Sequence, residues 1–311
     1  MRCLLAFGLS AWARAQAPAL VSESALPRAV ETALETQIEL HRRGFSCGAI
    51  DGVTGAQTAA ALRGIQRAAG LRESGLLDEP TQELLQLTEP VLTTYTVTAE
   101  GLAELRPVPT TWLEKSQQPV LAFATALEQI AERFRAHPRL LQRLNPEVDW
   151  TALAEGAVIT VPAVERATVT GRASHITIRL EARELELEDA DGRVIAHFPV
   201  SIARMAEKRP LGELHVTVAI TDPNYTFDPV VFPESAEAKT LGRKLIIPPG
   251  PNNPVGRAWI GLDRSGYGIH GTPDPEKVGR TESHGCFRLA NWDALTLLRH
   301  VFVGMRVAVE P

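Results

Sequence analysis

Residues 267–293 read YGIHGTPDPEKVGRTESHGCFRLANWD, and this run sets the tightest limit on the fold. Pro273 and Pro275 each lack a backbone N–H, and Gly268, Gly271, Gly279 and Gly285 carry no Cβ. Such a stretch is neither a core helix nor a central strand. It must be a long connection, and the chain around it must supply the ordered framework. Yet it concentrates His270, Ser283, His284 and Cys286. Functional side chains gather on loops held by rigid scaffolds, so this run also marks the candidate site.

The framework is legible on both sides. Upstream, HITIRLEARELELEDADGRVIAHFPVSIA alternates apolar and polar residues, with Ile176, Ile178 and Leu180 on one face. Asp191-Gly192 is a hairpin signal within it. LHVTVAI and MRVAVE are further strands by the same alternation. Downstream, NWDALTLLRHV predicts a helix with Leu295, Leu298 and Val301 or Phe302 on its apolar side. Residues 168–311 are therefore expected to form a mainly-β domain with a helix directly after the cysteine loop.

Two more segments precede it, as a length of 311 residues leads one to expect. Residues 28–88 are helical in pattern, with Val30, Leu34 and Ile38 on one face. Glycines break the pattern at RRGFSCGAIDGVTGAQT, and it resumes from Thr58 to Ala69. Asp78 and Pro80 fit the start of a third helix. Residues 93–163 order as strand, two helices and strand, from YTV through ALEQIAERF and PRLLQRLNPEVDW to GAVITVP. The expected fold class is a multidomain α and β chain: three helices, a small α+β middle segment, then the mainly-β domain.

The N-terminus carries Arg2, an apolar run over residues 3–13, and small residues at Ala13, Ala15 and Ala17. This is the pattern of an export signal over residues 1–17. Pro18 disfavours cutting after Ala17, so cleavage after Ala15 is expected. The expected location is the periplasm, with no transmembrane anchor. A net charge of −5 and 5 % aromatics argue against nucleic acid as a partner. Cleavage would leave Cys47 and Cys286.

The loop chemistry points to a thiol nucleophile. A thiol attacks as thiolate, so it needs a lowered pKa or a neighbouring base. His270 and His284 both qualify. Gly285 permits close approach of a substrate, and the backbone N–H groups near Gly285 and Cys286 could form an oxyanion hole. Two other readings of the residues stay open here. His270, His284 and Cys286 are also competent zinc ligands. Cys286 could instead pair with Cys47 in a disulfide. On the preferred reading no metal and no cofactor is needed.

Three resemblances narrow this. Gly48, Ile50, Asp51, Gly52, Gly55, Thr58, Ala61 and Leu62 follow the signature of the three-helix peptidoglycan-binding domain family. The strand–helix–helix–strand order of residues 93–163 resembles the LysM glycan-binding module, with an insertion, AEGLAELRPVPTTWLEKSQQPVLAFAT, after the first strand. His270 followed by Ser283-His284-Gly285-Cys286 and FRLANWDA resembles the L,D-transpeptidase catalytic domain of YkuD type. RPLGELHV and PPGPNNPVGRAWIGL resemble its flanking segments, with Arg209 and Leu214 as departures. The resemblance implies that Cys286 is the nucleophile and His270 the base, and that Ser283, His284 and Gly285 shape the loop. Arg288 and Tyr267 are the candidate substrate-binding residues. It implies peptidoglycan stems and glycan strands as partners, with an envelope protein as a further candidate acceptor. Three function classes follow: a transpeptidase forming 3→3 cross-links, a hydrolase or protein-attaching transferase on the same scaffold, and a non-catalytic wall-binding protein. Residues 28–88 are expected to bind sacculi without helping the chemistry.

Overall fold

A computed structural model describes residues 26–164, 166–231, 237–281 and 285–311. The expected export signal lies outside the described residues, and so do Ser283 and His284.

In the first segment, strand β1 (Arg28–Ala29) leads to helices α1 (Ala33–Arg42), α2 (Ala56–Ala68) and α3 (Glu79–Leu84). Strand β2 (Gln86–Leu87) returns to pair antiparallel with β1. Helix α1 begins at a capping box: the Thr32 side chain accepts from the Glu35 N–H, and the Glu35 carboxylate accepts from the Thr32 N–H. Asp78 caps α3 as its position in the sequence predicts, with Pro80 in the first turn. The glycine-rich turn is held by one side chain. The Gln37 amide donates to Asp51 and to the Val53 carbonyl, and its oxygen accepts from the N–H groups of Asp51 and Gly52.

The middle segment opens with β3 (Leu92–Thr96) and closes with β4 (Val158–Pro162), paired antiparallel from Leu92↔Pro162 to Thr96↔Val158. Helices α6 (Ala126–Arg133) and α7 (Pro138–Leu144) lie between them in sequence. The insertion after β3 carries two short helices, α4 (Ala99–Ala103) and α5 (Trp112–Ser116).

The last segment is built on an eight-stranded sheet. Its strands are β5 (His175–Arg179), β6 (Glu184–Glu188), β7 (Val194–Pro199), β8 (Gly212–Thr221), β11 (Ala258–Leu262), β12 (Gly268–His270), β13 (Phe287–Arg288) and β14 (Arg306–Glu310). Their spatial order is β13-β12-β11-β8-β14-β5-β6-β7. Pairing is antiparallel except at β12–β13 and β14–β5. A separate hairpin joins β9 (Tyr225–Phe227) to β10 (Leu245–Ile247), with α8 (Ala238–Leu241) on the connection. The Asp191-Gly192 signal is realised as the β6–β7 turn, where Gly192 has φ +77°.

Helix α9 (Asn291–Leu298) follows the cysteine loop as expected, and Leu295, Leu298 and Val301 pack against the core, but burial extends further round the helix. Ala294 and Leu297 are fully buried together with the polar Asn291, Asp293 and Thr296, while Phe302 stands 51 % exposed beyond the helix end. Periodicity assumed one apolar neighbour. The helix is instead enclosed by the sheet on one side and by α6 of the middle segment on another.

The segments are not beads on a string. One hydrophobic core runs from Val30 and Ile38 through Ile65, Phe134 and Leu141 to Ile159 and Val164, and takes in Val194 of β7. A second core fills the sheet beneath α9. Helix α2 packs on β7, where Gly64 leaves 3.2 Å between an ideal Cβ and the His197 Cβ. Phe45 adds a parallel bridge to His197, and the Ser46 hydroxyl donates to buried Asp293 at 2.7 Å.

Candidate active site

Strand β12 brings His270 to the end of the sheet, and β13 lies parallel beside it with His270 opposite Arg288. Cys286 is the residue immediately before β13. The parallel pairing is what folds the Pro/Gly-rich connection back, because both of its ends must enter neighbouring strands. His270, Gly285, Cys286 and Arg288 then border one cleft of about 1060 Å³. Its other walls include Asp222, Tyr225 and Thr226 of the hairpin region, Trp259 of β11, and Trp112 of the distant middle segment.

His270 is 4 % exposed, with its ring stacked on Trp259 at a centroid distance of 5.7 Å. Its Nδ1 lies 2.6 Å from the Gly271 carbonyl. A carbonyl only accepts, so Nδ1 carries the proton and Nε2 of the neutral ring is a bare acceptor. Burial lowers the imidazole pKa to about 4; the Gly271 hydrogen bond opposes that shift and the Arg288 charge adds to it.

Cys286 is half-buried, and its Sγ lies 3.4 Å from the Gly266 carbonyl. Burial raises the thiol pKa, while a backbone hydrogen bond from Gly268 and the Arg288 guanidinium pull it down. The pair therefore rests as a thiol and a neutral imidazole rather than as an ion pair. The guanidinium of Arg288 makes no hydrogen bond or ion pair among the described residues, and its Nε is buried without a partner. A guanidinium beside a thiol is suited to an anionic group of a ligand.

Tyr267 is half-buried and is not among the described residues that border the cleft. Its ring lies under the Arg264 guanidinium at 4.7 Å, and an ideal Cβ on Gly285 would sit 3.9 Å from it. Cys47 and Cys286 form no disulfide, which corrects the disulfide alternative. Cys47 is buried in the N-terminal core, where burial raises its thiol pKa strongly.

Sequence reasoning missed Tyr225 and Trp112. The Tyr225 phenol is raised to about 12, first by burial and then by the neighbouring Cys286, with Arg288 opposing, so it stays a hydrogen-bond donor in the cleft. An aromatic inside the proline-flanked run DPNYTFDP was the only signal available.

The support behind the cleft is also built across segments. Asn291 at the start of α9 accepts from the Arg257 N–H at 3.0 Å and donates to Glu132 of α6 at 3.0 Å and to the Pro251 carbonyl at 3.2 Å. Gly256 (φ +60°) and Gly271 press against it: an ideal Cβ would lie 2.0 Å and 2.2 Å from its Oδ1. Gln57 of α2 donates to the Val278 carbonyl at 2.6 Å, within the connection that leads to Cys286.

Two stretches of the chain match known families. Residues 173–309 match the L,D-transpeptidase catalytic domain family, YkuD, and residues 31–85 match the family described as "Putative peptidoglycan binding domain". A relative named "Putative L,D-transpeptidase YkuD" from Bacillus licheniformis is 28 % identical over 60 % of this chain and 93 % of its own length. "Putative L,D-transpeptidase YqjB" from Bacillus subtilis is 33 % identical over 38 % of this chain and 61 % of its own length. Among solved structures, an L,D-transpeptidase from Xylanimonas cellulosilytica aligns over 91 % of this chain and 94 % of its own, at 16 % identity and a TM-score of 0.38. Residues 173–309 thus carry a YkuD-type L,D-transpeptidase catalytic domain, and residues 31–85 a putative peptidoglycan-binding domain.

Proposed function

We propose that Cys286 is the nucleophile of this transpeptidase and His270 its general base. The observation that carries the reading is the His270 tautomer: with Nδ1 tied to the Gly271 carbonyl, Nε2 is free to take a proton in the cleft that also holds the Cys286 thiol. Cys286 attacks the carbonyl between the third and fourth residues of a peptidoglycan stem. His270 takes the thiol proton and passes it to the departing D-alanine amine, leaving a thioester on Cys286. An amine of a second stem then resolves the thioester into a 3→3 cross-link, after His270 removes its proton. The peptide-bond energy is conserved in the thioester, so no ATP is needed. Arg288 binds a carboxylate of the stem, and Tyr225 donates a hydrogen bond beside the reacting carbonyl. Ser283, His284 and Gly285 shape the loop that presents the thiol, and Tyr267 braces it.

The working boundaries are an export signal over residues 1–17, a peptidoglycan-binding domain over 28–88, a LysM-like segment over 93–163 and the catalytic domain over 168–311. The enzyme acts in the periplasm. Among the described residues no helix is long and apolar enough to cross a membrane. The pairing of β3 with β4 around α6 and α7 supports the LysM-like reading.

The test is incubation with purified disaccharide-tetrapeptide, followed by mass analysis. A cross-linked dimer with loss of D-alanine is the expected product, absent with Cys286→Ala. Free tripeptide alone would make the enzyme a hydrolase. Transfer only onto an added envelope protein lysine would make it a protein-attaching transferase, and no product from folded parent enzyme would overturn the reading.

A further inference from the structure

We infer that residues 106–123, within the insertion of the middle segment, are a positioning element of the catalytic cleft, acting through Trp112 on Tyr225. This rests on the transpeptidase reading of the same cleft.

Among the described residues the hairpin β9–β10 pairs only with itself, three residues on each strand, and stands apart from the eight-stranded sheet. A two-stranded hairpin of that size has little stability of its own and needs a packed face. The insertion supplies that face. The Trp112 indole stacks on Phe227 at 4.3 Å with the planes 15° apart, and lies 6.1 Å from the Tyr225 ring. Leu121, 1 % exposed, shares a small core with Phe227, Leu245, Ile247 and Ala238.

Both ends of the insertion's central stretch, residues 112–121, are fixed to the catalytic domain. At one end the Glu237 carboxylate accepts from the N–H groups of Trp112 at 2.7 Å and Leu113 at 2.8 Å. At the other the Leu121 N–H donates to the Pro249 carbonyl at 2.8 Å, and the Leu121 carbonyl accepts from Asn252 at 3.1 Å. The fit leaves no slack: Gly250 has φ +134°, and an ideal Cβ there would lie 2.3 Å from the Leu121 carbonyl oxygen. So a segment outside the catalytic domain clamps the hairpin, and the hairpin carries the phenol that borders the thiol and the guanidinium. Trp112 also borders the cleft itself, at its edge.

Trp112→Ala should lower kcat/KM for disaccharide-tetrapeptide by about 10- to 100-fold, the cost of misplacing a reacting-site group by roughly an ångström. Alkylation of Cys286 by iodoacetamide should stay near the parental rate, since the thiol and His270 are untouched. Trp112→Phe keeps a ring to stack on Phe227 and should restore most of the activity. If Trp112 acts through Tyr225, its loss and that of Tyr225→Phe should be non-additive, with the double variant little worse than the poorer single one. Parental kcat/KM in Trp112→Ala, or fully additive losses, would overturn the inference. Should Trp112→Ala fail to fold, Trp112→Leu keeps apolar bulk without the plane and is judged by the same criteria. A parent enzyme that does not turn over the tetrapeptide would sink the functional reading instead. Calorimetric affinity of Cys286→Ala for the tetrapeptide, with and without Trp112→Ala, then decides the inference: weaker binding supports it and equal binding overturns it.

Discussion

His270 and Cys286 are set up as a neutral pair, and that choice has kinetic consequences. A buried imidazole with its pKa lowered to about 4 is deprotonated over the whole physiological range. The thiol, raised by burial, is protonated over the same range. The proposed mechanism then needs the base in contact with the proton it removes rather than a standing thiolate. His270→Ala should retain tetrapeptide binding and lose acylation by roughly 10²–10⁴, the usual worth of positioned acid–base catalysis. Single-turnover acylation with thermal melts alongside measures it, and near-parental acylation would remove His270 from the base role. The pH profile carries a second expectation. A base with a lowered pKa becomes competent early as pH rises, so the acid limb of kcat/KM should lie below the ordinary histidine value of 6.5, toward about 4. That limb belongs to the interacting pair as measured. A limb at or above 6.5 would mean that a different group, or a charged resting pair, controls the rate.

At the scale of elements, what was legible was what depends on near neighbours. The Asp78 cap, the Asp191-Gly192 hairpin and the alternation of Ile176 and Ile178 are local facts, and the structure keeps them. The residue types of the site were legible for the same reason: His270, Gly285 and Cys286 stand in one connection. What brings its ends together is the parallel β12–β13 pair, which no local pattern announces. Tyr225 and Trp112 were hidden because their contact joins segments far apart in the chain. Helix α9 misled because Asn291, Asp293 and Thr296 look like a solvent face and are buried against partners from other segments. Asn291 makes this testable. Asn291→Ala would strand the Arg257 N–H and the half-buried Glu132 carboxyl, at about 1–3 kcal/mol for each group left without its partner. Denaturant melts should show it. Burial already raises Glu132 to about 7, so Asn291→Asp would set two carboxylates together. Above that pH both ionise and repel; below it Glu132 is protonated and can donate a hydrogen bond to the new carboxylate. Asn291→Asp should therefore lose more stability at pH 8 than at pH 5, and equal losses would show that the two groups do not face each other.

The whole molecule departs most from expectation in its N-terminal domain. The sequence suggested a separable wall-binding module; the structure instead gives it a core shared with the middle segment. It also gives it a direct hold on the catalytic connection through Gln57 and Val278. Removing residues 26–88 should consequently depress turnover of a small soluble tetrapeptide as well as retention on insoluble sacculi. Gln57→Ala tests the hold alone: it should reduce turnover while retention stays intact, with a melt close to the parent's. Unchanged turnover in both variants would restore the module to independence. The contact at Gly64 adds something about ancestry. A methyl group there would press on His197, so this helix surface and that strand can drift only in concert. Recombination between related genes that exchanged one segment without the other would bring a bulkier side chain against an unprepared ring. The boundary near residue 88, which looks like a natural crossover point on paper, is thus a place where hybrid descendants would be expected to fail.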